Sequence, residues 1–492
     1  MIRKVTVYVV VIGVFVAAIA GILHLGSRLD TAPAPGSATA AGAAPAPAAA
    51  ASAAPAAGKH AAPAANGLFA RLRDNLRDPL PLILLQVVVI VIAARLMGGL
   101  FRRFRQPAVI GEMVAGILLG PSLLGWLAPT AQGFLFPASS LGALRILSQI
   151  GVILFMFVVG IELNVRHLRE KSHAAVLVSH ASIVVPFFLG VVFSLFLYQA
   201  QAPAGLHFSA FALFLGVSMS ITAFPVLARI LEERNLSRTH LGSTAIACAA
   251  VDDVTAWCLL AVVVAIVKAN GIGGALVTIG LTLLFIIFML FVARPRIARA
   301  VARRRPPARM GTGMLAATFL FVFASAWTTE VIGIHALFGA FLAGVCMPQD
   351  LGVREFLRSR LETFSSVLLL PLFFAFTGLR TQVGLLNDWQ GWLLCLTVIA
   401  VAIAGKLGGS MAAARWTGMS WTDSFSLGTL MNTRGLVELI ALNIGYDLGI
   451  LSPRIFAMMV LMALITTFMT GPLLGLVELV RRRETVAARA AA

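Results

Sequence analysis

From residue 80 onward the chain alternates between long apolar runs and short polar joints. Thirteen such runs stand out, at 82–100, 109–127, 141–163, 174–198, 208–231, 241–267 and 275–293, then 314–331, 334–346, 364–379, 392–414, 424–444 and 455–479. Most reach the roughly 20 residues that an α-helix needs to cross a hydrocarbon layer about 30 Å thick. Ahead of them, Arg3 and Lys4 precede an apolar stretch at 5–25, which reads either as an uncleaved helix or as a signal sequence. Residues 30–66 are almost wholly Ala, Pro, Gly and Ser, a composition that buries too little apolar area to offset its ordering entropy, so a disordered tether is expected.

The pattern therefore predicts an all-α polytopic membrane protein. Its expected organisation is an N-terminal transmembrane helix or signal sequence at 1–29 and an Ala/Pro-rich periplasmic tether at 30–77, then a transmembrane domain at 78–480 and a basic tail at 481–492. Composition agrees: 59% of the 492 residues are hydrophobic, 12% are charged and the mean hydropathy is +0.94, which leaves no room for a large soluble domain. The net charge of +18 would suit a nucleic-acid binder if it formed one basic face, but it is divided among short clusters between apolar runs.

Those clusters alternate. Arg102, Arg103 and Arg105, then Arg166, Arg169 and Lys171, then Arg234 and Arg238, then the arginines of 294–309, then Arg354, Arg358 and Arg360, then Arg415 and finally Arg481 to Arg483 occupy one set of joints. Residues 128–140 and 199–207, in the other set, hold almost no Lys or Arg. The basic set is expected on the cytoplasmic side of a cell (inner) membrane, with a cytoplasmic C-terminus. Cys248, Cys258, Cys346 and Cys395 have no metal-ligand spacing and read as small packing residues.

Self-similarity adds a second layer. Residues 110–120 line up with 334–344, residues 154–161 with 372–379 and residues 216–219 with 428–431, at offsets of 224, 218 and 212. Each match pairs a run with the one seven spans later. Seven is odd, so the copies run in opposite directions, which is an inverted-topology repeat. The fifth and twelfth runs are so paired, and both are interrupted, at Ser218-Met219-Ser220-Ile221-Thr222-Ala223-Phe224-Pro225 and at Met431-Asn432-Thr433-Arg434-Gly435. Matching interruptions point to a site built from broken helices, although a proline kink without function gives the same pattern.

Charge inside the apolar runs is where chemistry is expected, because it is costly there. Asp252 and Asp253 lie side by side in the middle of the sixth run, and Lys406 stands well inside the eleventh. Adjacent helical residues point about 100° apart, so one acid is free to pair while the other stays open. A dehydrated carboxylate favours its proton, and the pair reads as a proton carrier able to trade that proton for a cation. Lys406 paired with one aspartate lowers the cost of burying both charges; a static packing pair is the alternative. Arg434 and Glu438, four apart, meet on one face and either compensate charge at the site or only stabilise the helix break. Glu112 is placed in the first turn of its helix, Glu162 and Arg380 near helix ends, and His180 as either a proton relay or a packing histidine. No Walker, Rossmann, zincin or nucleophile-elbow pattern is present, so no enzyme and no cofactor are expected.

Three motifs carry a resemblance: Gln106-Pro107-Ala108-Val109-Ile110-Gly111-Glu112 leading to Gly120-Pro121-Ser122-Leu123-Leu124-Gly125, then Ser220 to Arg229, and Asn432-Thr433-Arg434-Gly435-Leu436-Val437-Glu438-Leu439. Over roughly 80–479 the chain resembles the monovalent cation:proton antiporters of the second superfamily branch, specifically the bacterial relatives of the plant-type cation/H⁺ exchangers and the Kef-type transporters. The resemblance implies a thirteen-helix sodium/proton-exchanger-like core with two discontinuous helices, forming a homodimer with a dimerisation domain and a mobile core domain. It implies that Asp253 binds the cation, that Asp252 pairs with Lys406 and that the breaks near Thr222 and Thr433 cross beside them. Kef-type relatives append a nucleotide-binding domain that this sequence does not show, and the N-terminal segment and tether lie outside the common pattern.

The expected function is secondary active antiport of Na⁺ or K⁺ against H⁺ by alternating access. Two competitors remain: a gated, channel-like K⁺ efflux pathway, and a transporter-like sensor subunit whose tether recruits partners.

Overall fold

The computed structural model describes residues 2–31, 78–104, 106–162, 173–237, 239–268, 272–303, 311–348 and 350–491. Most of the segment expected to be a tether, and the basic joints at 163–172 and 304–310, lie outside the described residues.

An amino-terminal helix α1 (Ile2–Gly26) runs into a single 3₁₀ turn, Ser27–Thr31. From residue 79 onward come α2 (Pro79–Arg103), α3 (Ala108–Leu119), α4 (Ala138–Glu162), α5 (His173–Gln201), α6 (Phe208–Ser220), α7 (Phe224–Glu233), α8 (His240–Lys268) and α9 (Ile272–Ile287). The second half holds α10 (Thr312–Ile332), α11 (Ala336–Val345), α12 (Leu351–Phe364), α13 (Leu370–Arg380), α14 (Trp389–Ile403), α15 (Gly409–Trp416), α16 (Trp421–Met431), α17 (Leu436–Asp447) and α18 (Pro453–Ala491). Among the described residues, twelve helices are long and apolar enough to cross a membrane, the amino-terminal one included. Helix α11, ten residues long, and the interrupted pair α16–α17 fall outside that count. The molecule is an all-helical, multi-pass membrane protein.

Local chemistry sets the ends. Pro79 and Pro81 sit in the first turn of α2, where a missing N–H costs nothing. Ser420 caps α16 by accepting from the Asp423 amide at 3.0 Å, and Gly333, at φ 102°, closes α10 in the left-handed region. Glu112 corrects one expectation: it lies beyond the first turn of α3, which starts at Ala108.

The helices sort into two bundles, α2–α4 with α10–α13, and α5–α8 with α14–α18. In the first bundle the backbones touch without intervening side chains. Gly120, at the end of α3, meets the Gly378 carbonyl of α13, and Gly160 of α4 meets Gly344 of α11. Glycine is needed at these points because an added Cβ would overlap the facing backbone. The offsets of 224 and 218 residues that relate 120 to 344 and 160 to 378 interchange the two contacts.

One carboxylate ties the bundles together. Asp447, at the end of α17, accepts from Arg145 of α4 at 3.0 Å and from Arg380 of α13 at 2.7 Å. Arg380 also donates to Asn443 at 3.1 Å, and Asn443 donates to Thr377 at 2.8 Å. Glu162 is held within the first bundle by Arg358 at 3.3 Å.

The backbone contact yields a test by contrast. Gly378→Ala forces α3 and α13 apart and is expected to destabilise by about 1–3 kcal/mol, read as a lower melting temperature in detergent. Gly384→Ala, which places its methyl in open space, should leave the melting temperature unchanged.

Candidate ion site

Asp252 and Asp253 sit at the middle of α8, both buried, in a stretch of small residues, Ala247-Cys248-Ala249-Ala250, that lets neighbouring helices approach closely. Both oxygens of Asp252 are engaged. Oδ1 accepts from Ser179 at 2.6 Å, and Oδ2 accepts from Ser182 at 2.9 Å and from Lys406 at 3.0 Å. Thr222 Oγ1 lies 2.8 Å from the same Oδ2 and 3.2 Å from the Met431 carbonyl, so its single proton has two acceptors within reach.

Lys406 is fully buried and spends its three protons on Asp252, on the Ser182 carbonyl at 2.9 Å and on the Ser220 carbonyl. It stands in a π-helical turn, Ala404–Gly408, inserted between α14 and α15. Such turns widen the helix by one residue and often mark functional positions.

The two interruptions meet next to this pair. Backbone 221–223 separates α6 from α7, and backbone 433–435 separates α16 from α17. The Ala223 amide donates to the Thr433 carbonyl at 3.0 Å, so the breaks satisfy one another across the contact. Arg434, fully buried within the second break, donates to the carbonyls of Ser218 at 3.0 Å and Met219 at 2.6 Å and to Glu438 at 3.1 Å. Its own amide donates to Thr467 Oγ1 at 3.0 Å, and that hydroxyl lies 2.7 Å from the Arg434 carbonyl.

Asp253 differs from all of these. It is 1% exposed, and neither carboxylate oxygen has a hydrogen-bond partner among the described residues. It faces the Phe224 amide at the head of α7 without the geometry of a hydrogen bond. The Thr433 hydroxyl is likewise buried and has no partner among the described residues. With every group ionised, Asp252, Asp253 and Glu438 carry three negative charges against two positive charges on Lys406 and Arg434. One positive charge is wanting, and Asp253 is the group it would neutralise.

The structure thus gathers Asp252, Asp253, Thr222, Thr433, Lys406, Arg434 and Glu438 around one crossing. His180 is not among them: its Nδ1 lies 2.7 Å from the Val176 carbonyl of its own helix, and its ring faces an apolar crevice with Ile12 and Phe15. Sequence reasoning missed Ser179 and Ser182, whose spacing of three on one helix face was a usable signal, and missed the π turn, which has none.

The same chain stretch matches known proteins. Residues 87–477 match the family model described as sodium/hydrogen exchanger, transmembrane. The chain belongs to the sodium/hydrogen exchanger family. Among its relatives, the Na⁺/H⁺ antiporter NhaS4 of Synechocystis is 46% identical over 397 residues, 80% of this chain and 97% of that protein. Cation/H⁺ antiporter 17 of Arabidopsis thaliana is 42% identical over 83% of this chain, and K⁺/H⁺ antiporter 1 of Saccharomyces cerevisiae is 33% identical over 82%. The matched part spans only 50% and 47% of those two longer proteins. In three dimensions this exchanger-family chain is similar to the sodium proton antiporter MjNhaP1 of Methanocaldococcus jannaschii, with a TM-score of 0.57, 13% identity and coverage of 79% of this chain and 94% of the other.

The charge pairing can be separated from packing by substitution. Lys406→Met leaves Asp252 buried without its counter-charge and is expected to destabilise the protein by about 3–5 kcal/mol. Adding Asp252→Asn to it should recover a large part of that loss in a melting measurement. A double variant no more stable than the single one would place the loss in the Ser182 and Ser220 carbonyls that lose the Lys406 ammonium.

Proposed function

We propose that this protein is a secondary active antiporter that exchanges a monovalent cation, Na⁺ or K⁺, for H⁺, with Asp253 as the group for which the two compete. The observation that carries the reading is the buried, unpartnered Asp253 carboxylate beside an Asp252 that is fully engaged. In a low-dielectric setting a surplus negative charge is expensive. A proton relieves it, and so does a cation; the two cannot do so together. Thr222 and Thr433, which meet at the crossing of the two breaks, offer hydroxyl oxygens to the cation, while Lys406, Arg434 and Glu438 balance the remaining charge.

Alternating access is the second half of the proposal. The breaks at 221–223 and 433–435 are related by the same 212-residue offset as the sequence match that precedes them. The glycine contacts of the first bundle interchange under the other two offsets. Both observations support an inverted repeat in which the glycine-packed bundle stays fixed and the bundle carrying Asp253 moves. The relatives include a Na⁺/H⁺, a K⁺/H⁺ and a cation/H⁺ antiporter, which support the exchange chemistry and leave either ion admissible.

In proteoliposomes with an imposed pH gradient, addition of Na⁺ or K⁺ should dissipate the gradient, and Asp253→Asn should abolish the effect. Transport at the wild-type rate by that variant would sink the assignment. Because the substitution removes an uncompensated buried charge, its melting temperature should equal or exceed that of the wild type, which separates lost function from lost fold.

Competition fixes the sign of the pH dependence. On the acidic side, the half-saturating cation concentration should rise by about tenfold for each pH unit lowered, one proton displacing one cation, and on the alkaline side it should become independent of pH. Equal half-saturation across the whole range would remove the shared site.

A further inference from the structure

Residues 1–29 read in the sequence as either a retained helix or a removable leader, and the family match begins only at residue 87. The packing around the outer end of α6 bears on that choice. Helix α6 has 13 residues, and its preceding residue, His207, gives it no side-chain cap. The first amide of the helix, that of Phe208, donates instead to Asp30 Oδ1 at 2.7 Å. The same oxygen lies 2.7 Å from Tyr198 Oη, at the end of α5, and His207 Nδ1 stands 3.6 Å from the other carboxylate oxygen. A carboxylate at this point satisfies an otherwise orphaned N–H and faces the positive end of the helix dipole.

Apolar contacts surround the cap. The Phe208 ring, fully buried, lies directly on the Gly26 backbone, where a Cβ would overlap it. Phe15 packs edge-on against Phe188 of α5 at 5.2 Å between ring centres, and Ile19, Ile22, Leu23 and Leu29 pack on the main hydrophobic core. Removal of this segment would leave Phe208 uncovered and the α6 amide unpaired.

We propose that Ile2–Thr31 remains in the folded protein as an integral helix and turn of the ion-site bundle, with Asp30 as a positioning residue for α6. The reason it matters lies at the other end of the same helix. At about 1.5 Å per residue, α6 is a rod of roughly 20 Å. Its last carbonyls, on Ser218, Met219 and Ser220, are the ones that hold Arg434 and Lys406. Asp30 fixes where that rod begins, and so where those carbonyls stand. The positioning role rests on the function proposed above; retention of the segment does not.

Three measurements on the full chain, tagged at its C-terminus and purified from membranes, decide the matter. The intact mass should include Ile2–Thr31, and an amino terminus that falls within or after that segment overturns retention. In hydrogen–deuterium exchange, Asp30→Ala should accelerate the peptide covering 206–212 by about tenfold and also accelerate the peptide covering 216–222, while Asp30→Asn, which keeps an acceptor oxygen, stays close to wild type. Unchanged exchange in both peptides overturns the cap, and acceleration confined to 206–212 overturns the positioning role. In proteoliposomes the half-saturating cation concentration should rise several-fold in Asp30→Ala and recover in Asp30→Asn; an unaltered value also overturns positioning. If the wild type itself exchanges no cation, the antiport reading fails, while the mass still decides retention and the hydrogen exchange still decides the cap.

Discussion

The candidate site depends on what happens to the carbonyls at the inner end of α6. A helix that stops inside a membrane leaves its last carbonyls without partners, at several kcal/mol each in hydrocarbon. Here Ser218 and Met219 are taken by the Arg434 guanidinium and Ser220 by the Lys406 ammonium. The break is therefore tolerable only because two cations are buried beside it. Those cations in turn require anions, and Asp252 and Glu438 provide them at 3.0 and 3.1 Å. Backbone interruption, buried lysine, buried arginine and their acids form one set of mutual obligations, and none of the four is stable without the others.

Against that closed set, Asp253 is the member left over. Its neighbour has four donors within hydrogen-bonding range, whereas its own oxygens have none among the described residues. The difference follows from helical geometry, since two successive side chains project about 100° apart. One points into the hydroxyls of α5 and the ammonium; the other points to the head of α7. A single residue step thus separates a structural anion from a surplus one.

Much of this was legible along the chain, and the reasons differ by feature. The apolar runs fall on helices because bilayer thickness imposes a length that composition must meet. The interruptions were visible because Pro225 and Gly435 suit no helix interior, and the acids were visible because charge at mid-run is rare. The proximity of Lys406 to Asp252 had a sequence rationale in charge compensation alone. By contrast, the spacing of Ser179 and Ser182 puts them on one face of α5, but what that face meets is visible only once α5 is laid on α8. For Arg434 and Glu438 the spacing gave the pair but not its purpose, because the carbonyls that Arg434 caps lie more than 200 residues away. The π turn and the Asp30 cap are products of tertiary packing, with no local signal to read.

The glycine contacts of the first bundle also bear on how the chain is assembled. Gly160 must meet Gly344, and 184 residues separate them. At a synthesis rate of roughly 5–20 residues per second, the first half waits on the order of ten to forty seconds in the bilayer before its counterpart emerges. Throughout that interval α4 presents a bare, close-approach stripe to whatever helix drifts past, so the newborn half-protein is the stage most exposed to mispairing with a neighbouring chain.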